Sequence, residues 1–269
     1  MLKKLFTHEW KDSWKLVTLF NAIVLVFTLI GAIAMTNKNW AEAMEKNDWY
    51  AIIFMSYFML YYFAIIALSL AVNIYFFIRF YRNFYTDQGY LMHTLPVTSN
   101  QLIISKALVM YIWQILSGIV ICISVFVLIN GFIVGSGEDV TIWELFAEIF
   151  SEIEVTPMVV AVVIIAVFMM IGSQISAILF GYLAISLGQL SKNHKLIASI
   201  GIYMGMQTLL QMLGSVFQIG FNVAVTTIEE VSDGLVIAVM LLITIVIFAV
   251  DAAMYAGSNY IMKNKLNLE

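Results

Sequence analysis

Six uncharged or nearly uncharged stretches fill most of this chain, and each is long enough to cross a lipid bilayer. They run over residues 16–37, 49–78, 107–137, 155–191, 196–228 and 234–262. A helix needs roughly 20 apolar residues to cross a hydrocarbon core of about 30 Å, and in lipid its backbone groups must be bonded within the helix. The pattern predicts an all-α integral membrane protein with a single transmembrane domain over residues 1–269. Its six transmembrane helices are predicted at about 17–36, 50–78, 107–134, 157–190, 196–225 and 235–262.

Charged residues are scarce and are segregated by sign between the loops. Hydrophobic residues make up 62% of the 269 residues and charged residues only 11%, whereas a soluble domain has roughly 25% charged residues. The basic residues cluster at the two termini and in the second and fourth loops: Lys3, Lys4, Lys11, Lys15, Arg79, Arg82, Lys106, Lys192, Lys195, Lys263 and Lys265. The other loops carry mostly acids. Because basic loops tend to stay in the cytoplasm, both termini are predicted to be cytoplasmic.

Two amphipathic helices are predicted outside the spans. Residues 2–15 carry tryptophans on one side and lysines on the other, which favours an N-terminal helix in the membrane interface, although an ordinary start of span one is the alternative. Residues 141–154 have an apolar face of Ile142, Leu145, Phe146, Ile149, Phe150 and Ile153. This second helix lies between spans three and four and has no basic residues, so we expect it to pack over the outer ends of the spans.

The long stretch at 155–191 is interpreted as one helix that starts at Pro157 and extends beyond the bilayer. The connection between spans two and three, from Arg79 to Lys106, is the longest of the predicted cytoplasmic loops. It carries apolar side chains where solvated loops are usually polar, so it either docks on another protein or folds back on the membrane. Thr98 or Ser99 can cap the helix that follows it.

Polar side chains on the last two spans are the candidates for a functional path. Span five carries a strip within about 100° of the helix surface: Tyr203, Gln207, Gln211, Gln218 and Asn222. Amides are disfavoured in lipid, so the strip is interpreted as a substrate path, a subunit interface or ordinary packing, and Gly214 and Gly220 could break the helix there. On span six Asp251, with Tyr255 one turn away, is interpreted either as a structural link or as part of a proton-linked pathway.

Enzymatic chemistry is not predicted for this chain. The nearest approach to a phosphate-binding loop, Gly131 to Asp139, ends in acids and has no adjacent lysine. The histidines His8, His93 and His194 fall in separate segments without metal-ligand spacing. We therefore expect no catalytic, cofactor-binding or metal-binding residues.

Two segments resemble a known family. The stretch YTDQGYLMHTLPVTSNQLIISK, followed four spans later by NYIMKNKLNLE, is similar to the permease subunits of bacterial ABC exporters of the ABC-2 type, especially those of Gram-positive anaerobes. The resemblance implies a multi-pass subunit of the bacterial cytoplasmic membrane, exporting an amphipathic or hydrophobic substrate such as a peptide, drug or lipid-like molecule. It also implies a second permease subunit, as a homodimer or heterodimer, and two copies of a separate ATPase that bind ATP and Mg.

The resemblance assigns the contact with the ATPase to one short segment between spans two and three. The residues implied in this coupling are Asp87, Gly89, Tyr90, Leu91, Met92, His93, Leu95 and Pro96. Two other functions fit the sequence less well. They are a proton-coupled secondary transporter that uses Asp251 and a non-transporting membrane sensor or immunity protein.

Overall fold

A computed structural model of the chain describes residues 2–36, 47–86, 89, 97–136, 141–151, 154–191, 194–227 and 232–264. Within these ranges the side chains of residues 213, 216, 217 and 219–227 are not described. The described residues contain no strand and form seven helices: α1 (Leu2–Met35), α2 (Asp48–Tyr85), α3 (Ser99–Ser136), α4 (Ile142–Ser151), α5 (Pro157–Gly188), α6 (Lys195–Thr227) and α7 (Asp233–Asn264). The all-helical class predicted from the sequence is therefore confirmed.

Five of these helices are long and apolar enough to cross a membrane, judged by length and composition over the described residues. They are α1, α2, α3, α5 and α7, and they coincide with five of the six predicted spans. Helix α6 is similarly long but is not among the five. Five such helices are compatible with a multi-pass membrane protein.

The helix ends follow local signals in the sequence. Helix α5 begins at Pro157, as predicted, and Thr156 caps it by accepting a hydrogen bond from the Val159 backbone N–H at 3.3 Å. Helix α5 is also a single helix across the long uncharged stretch, as predicted. At the start of α3 the Thr98 side chain accepts a hydrogen bond from the Gln101 N–H, so Thr98 is the cap. Glycine does not break α6, which continues through Gly214 and Gly220.

The N-terminal segment does not form a separate interfacial helix. Residues 2–15 are the first turns of α1, which runs without interruption to Met35. The physical reason is that the buried stripe of α1 already begins at Glu9 and Ser13. Trp10, which we expected to face the membrane surface, stacks on Trp113 of α3 with ring centroids 4.6 Å apart. The alternative interpretation, an ordinary start of span one, agrees with the structure.

Helix α4 lies between α3 and α5, as predicted, and covers Ile142–Ser151 of the predicted residues 141–154, of which 152 and 153 lie outside the described residues. It starts with a capping box, in which the Thr141 N–H donates to the Glu144 carboxylate at 2.8 Å and the Glu144 N–H donates to the Thr141 hydroxyl at 3.3 Å. Only Ile142 of its apolar face is buried, while Ile149 and Phe150 are exposed. The packing of α4 that the structure describes lies in its first half, where Trp143 and Phe146 contact Phe126 of α3; Ile153 lies outside the described residues.

The described helices group into two compact units. The N-terminal unit comprises Phe6–Phe76 and Ile112–Glu154, and the C-terminal unit comprises Met1–Leu5, Phe77–Tyr111 and Val155–Glu269. In the N-terminal unit three side-chain pairs join α1 to α3 at successive levels: Ser13 with Trp113, Asn21 with Ser117, and Thr28 with Ser124. Because the partners advance together along both helices, α1 and α3 are parallel. Helix α2 runs antiparallel to both.

In the C-terminal unit α5 packs against both α6 and α7. A small core of Leu179, Phe180 and Met254 lies between them. Two glycines allow close approach of the helices. An added Cβ at Gly172 would meet Ile247 of α7 at 2.8 Å, and one at Gly188 would meet the Ser199 backbone of α6 at 2.6 Å. Small residues at such contacts are typical of helix packing in membranes.

Candidate functional site

The last turns of α2, which lead toward residues 87–96, are fixed to α5 by aromatic side chains. Phe80 and Tyr182 stack with centroids 3.8 Å apart and an interplanar angle of 8°, and both are 1% exposed. One turn further on, the hydroxyls of Tyr85 and Ser186 are hydrogen-bonded at 2.8 Å. A stacked pair and a hydrogen bond at successive levels hold the end of α2 in one orientation on α5.

The same region includes the beginning of α3. The Lys106 ammonium lies 5.2 Å from the centre of the Phe84 ring, and Lys106 is 5% exposed although it is charged. Phe84 is fully buried. The final turns of α2 and the first turns of α3, which flank residues 87–96 in the sequence, are thus packed against each other.

Of the predicted coupling residues the structure describes Gly89 alone. Its backbone N–H donates to the Thr86 carbonyl at 2.7 Å, and an added Cβ would collide with the Phe84 backbone carbonyl. The close approach of the Phe84 carbonyl therefore leaves no room for a side chain at Gly89. The other predicted coupling residues lie outside the described residues: Asp87, Tyr90, Leu91, Met92, His93, Leu95 and Pro96.

The residues of the predicted polar strip on α6 do not share one environment. Tyr203 packs against Phe180 of α5 with centroids 5.4 Å apart. Gln207, Gln211 and Gln218 are exposed on the surface of the chain, and the Asn222 side chain lies outside the described residues. Among the described residues, the three glutamines therefore do not point into the packing between helices. An exposed row of amides on an otherwise apolar helix requires water or another protein as its neighbour.

Asp251 is brought together with a residue that the sequence did not indicate. Ser176 of α5 donates a hydrogen bond to one Asp251 oxygen at 2.5 Å, and Asp251 is 5% exposed. Tyr255, one turn away, packs against the Leu179, Phe180 and Met254 core. Asp251 thus lies in the contact between α5 and α7, apart from the exposed glutamines of α6.

A row of hydrogen-bonded polar side chains, here called the polar seam, joins the helices of the N-terminal unit and was not predicted from the sequence. Ser124 of α3 is hydrogen-bonded to Thr28 of α1 at 2.5 Å and also to the hydroxyl of Tyr61 of α2. Asn21 donates to the Ser117 hydroxyl at 3.0 Å one level away. The available signal was the seven-residue spacing of polar residues within apolar spans, namely Asn21 to Thr28 and Ser117 to Ser124.

Helices α2 and α3 also line an apolar groove within the N-terminal unit. Its volume is about 370 Å³. The lining is aromatic and aliphatic: Phe58, Tyr61, Tyr62, Ile65, Val125, Leu128, Ile129 and Phe132. A groove of this composition accommodates hydrocarbon rather than a polar solute.

Comparison with known proteins identifies no family and no function for this chain. No family model matches the sequence, and no curated protein and no solved structure matches it.

Proposed function

We propose that this chain is the membrane permease subunit of an ABC exporter, and that a separate ATPase docks on the segment between α2 and α3. The complex moves an amphipathic or hydrophobic substrate, such as a peptide, drug or lipid-like molecule, outward across the bacterial cytoplasmic membrane. Both termini of the chain are cytoplasmic. The chain itself hydrolyses no nucleotide, and the ATP and Mg are bound by the partner.

The observation that carries this proposal is the way the ends of α2 and α3 are packed. Each helix has 38 residues, which at 1.5 Å per residue is a length of about 57 Å against a hydrocarbon core of about 30 Å. The excess allows helical turns to extend beyond the bilayer on both sides of residues 87–96. The Phe80–Tyr182 stack and the Tyr85–Ser186 hydrogen bond tie that extension to α5. A force applied to the segment would therefore be transmitted to a second helix.

Helix directions support α6 as span five, the predicted span that is not among the five helices named above. Ser176 meets Asp251, and Leu183 lies next to Gly257, so α5 and α7 are parallel. The chain must therefore return between them. Helix α6 is antiparallel to α5, because Gly188 approaches Ser199 while Phe180 contacts Tyr203. Its 33 residues span about 50 Å, enough to cross the bilayer.

The exposed glutamines of α6 support a second subunit or a substrate path on this face. Gln207 and Gln211 lie on a helix that crosses the membrane in this proposal, and both are exposed in the part of the chain that the structure describes. A second permease chain, identical or different, would satisfy their hydrogen bonds and enclose an interior surface between the two chains. The low fixed charge of the spans and the apolar groove between α2 and α3 suit a hydrophobic substrate.

The mechanism in this proposal is alternating access. Closure of the two ATPases on ATP shifts the docked 87–96 segment, and the rigid end of α2 carries that shift to α5. Because α5 packs on both α6 and α7, its tilt changes the side to which the interior surface opens. ATP binding thus changes the relative stability of two arrangements of the same helices.

A proton-coupled transporter is the second candidate, since Asp251 is an ionisable residue within a span. In the structure Asp251 is buried between α5 and α7 and hydrogen-bonded to Ser176, whereas the exposed polar surface lies on α6. This arrangement favours a structural role for Asp251 over a place on an aqueous path. A sensor or immunity protein would use its outer surface instead, and α4 offers exposed Glu144 and Glu148 for a cationic peptide.

The docking test uses co-expression with an ATPase encoded by a neighbouring reading frame that contains GxxxxGK[ST]. The double variant Leu91→Asp/Leu95→Asp is expected to abolish co-purification of this ATPase while the helical content of the chain stays unchanged. Leu190→Asp is the matched control, because Leu190 is a half-exposed leucine just after α5 and outside the docking segment. Undiminished complex formation by the double variant would refute docking at this segment.

Transport is tested with the complex in proteoliposomes and a fluorescent phospholipid as the probe substrate. ATP-dependent movement of the probe that requires the ATPase supports the export proposal. Movement driven by a pH gradient without the ATPase would instead identify the proton-coupled transporter.

A further inference from the structure

The contact between α5 and α7 contains a carboxyl group with an unusual hydrogen-bonding state. One oxygen of Asp251, Oδ1, accepts the hydrogen bond from Ser176. The other, Oδ2, is buried and has no hydrogen-bond partner among the described residues. An ionised carboxylate normally fills both oxygens with donors, because an unpaired charge away from water is costly.

No cation of the neighbouring helices is close enough to pair with Asp251. Helix α5 contains no Asp, Glu, Lys, Arg or His. On α7 the charged residues are Asp233 and Lys263, about 27 Å and 18 Å away along the helix axis at 1.5 Å per residue. On α6 the charged residue is Lys195, in the first turn. This turn lies beside the last turn of α5, where Ser199 bonds the Ile185 carbonyl, and not beside Ser176.

The other titratable side chains that the structure describes near this contact are tyrosines. Tyr255 lies one turn from Asp251 and packs into the Leu179, Phe180 and Met254 core. Tyr182 stacks on Phe80, and Tyr203 packs on Phe180. None of them supplies a positive charge, and the hydrogen-bond donor to Asp251 among the described residues is the Ser176 hydroxyl.

We propose that Asp251 is a proton-binding site, which holds its proton in the folded protein and joins α5 to α7 as a neutral carboxyl group. The proton resides on the oxygen that Ser176 does not contact. In this state Ser176 and Asp251 form an uncharged link between the two helices, and the cost of a charge in the membrane is removed. This proposal does not depend on the export function.

Proton binding at Asp251 is coupled to the contact between α5 and α7. Separation of α5 from α7 would break the Ser176 hydrogen bond and admit water to the carboxyl. In water the carboxyl ionises, so opening of the contact releases one proton and closing takes one up. A higher pH therefore favours the open arrangement, and a lower pH favours the packed arrangement seen here.

The decisive experiment is infrared spectroscopy of the full chain in liposomes at neutral pH, with the aspartate side-chain carboxyls labelled with carbon-13. The chain has six aspartates, and the proposal predicts one protonated-carboxyl band that shifts with the label. That band is expected to disappear in Asp251→Asn and to move to higher frequency in Ser176→Ala, because the hydrogen bond to the carbonyl oxygen is lost. Absence of a protonated aspartate band in the wild type, or its persistence in Asp251→Asn, would overturn the proposal.

A stability measurement provides a second test. Asn is isosteric with a neutral Asp and accepts the same hydrogen bond, so Asp251→Asn is expected to keep the thermal midpoint of the wild type at neutral pH, whereas Asp251→Leu is expected to lower it. From mildly acidic to mildly alkaline pH the wild-type midpoint should fall relative to that of Asp251→Asn. A wild-type midpoint that rises with pH relative to the Asn variant would contradict a held proton.

Discussion

Phe80 and Tyr182 stack face to face with ring centroids 3.8 Å apart, and their helices, α2 and α5, are separated in the sequence by α3 and α4. The stack lies just before the segment that we propose as the docking site of an ATPase. Both rings are almost completely buried. Because they are in contact and surrounded by other side chains, a displacement of one ring requires a displacement of the other. In the proposed coupling, this pair transmits movement of the end of α2 to α5.

The first prediction concerns the hydrogen bond next to this stack. Tyr85→Phe keeps the ring but removes the hydroxyl that bonds Ser186, so we expect a loss of about 1 kcal/mol in stability. In the complex with the ATPase, hydrolysis should continue while transport of the probe lipid decreases. Tyr260→Phe, on an exposed tyrosine of α7, is the control. Equal transport by Tyr85→Phe and the control would show that this bond does not contribute to coupling.

The second prediction compares two helical glycines. Gly188→Ala forces a Cβ to within 2.6 Å of the Ser199 backbone, which neither helix can relieve by a rotamer change, and should cost about 1–3 kcal/mol. Gly201→Ala meets nothing within 4 Å and should be neutral or stabilising by up to about 1 kcal/mol. Thermal unfolding in detergent measures both. A harmless Gly188→Ala would contradict the close contact of α5 and α6.

The third prediction tests the exposed amides of α6. Gln207→Leu/Gln211→Leu removes the hydrogen-bonding groups without reducing the apolar surface, so it should weaken association of two permease chains or change the response of ATP hydrolysis to the probe lipid. Met204→Leu is the matched control on the same exposed helix. Association is measured by light scattering of the purified complex. If neither property changes, Gln207 and Gln211 contribute neither to a subunit interface nor to a substrate path.

The fourth prediction addresses the polar seam of the N-terminal unit. Ser124→Ala removes the common partner of Thr28 and Tyr61 and should lower the thermal midpoint, with a cost of about 0.6 kcal/mol for each hydrogen bond. Ser173→Ala is the control, because Ser173 is exposed and its hydroxyl donates to the Met170 carbonyl of its own helix. Equal thermal midpoints for the two variants would show that the hydrogen bonds of the polar seam do not contribute to stability.

The positions of the long helices could be predicted from the sequence because charge is excluded from a membrane span and each uncharged run had to be a helix. The ends at Pro157 and Thr98 could be predicted for a local reason, since both residues act within their own turn. Packing between helices could not be predicted in this way. Trp10 has the composition of an interfacial residue, yet its ring is stacked on Trp113, a partner about a hundred positions away.

The same distinction between local signals and packing between helices applies to the candidate site. The sequence indicated Asp251 as the ionisable residue of a span, but Ser176 is one of many serines in apolar helices and only the fold identifies it as the partner. The amides of α6 were recognisable, whereas their exposure on the surface of the chain depends on which face of α6 meets α5. The proposed docking residues from Tyr90 to Pro96 rest on the family resemblance.

ATP hydrolysis measured in nanodiscs tests the central claim most directly, that this chain is a membrane subunit driven by a separate ATPase. The chain alone is expected to hydrolyse no ATP. Addition of the ATPase from the neighbouring reading frame should give a stable complex whose hydrolysis is stimulated by the chain and is lost with Leu91→Asp/Leu95→Asp. Hydrolysis by the chain alone, or an ATPase that neither binds the chain nor responds to it, would contradict the account.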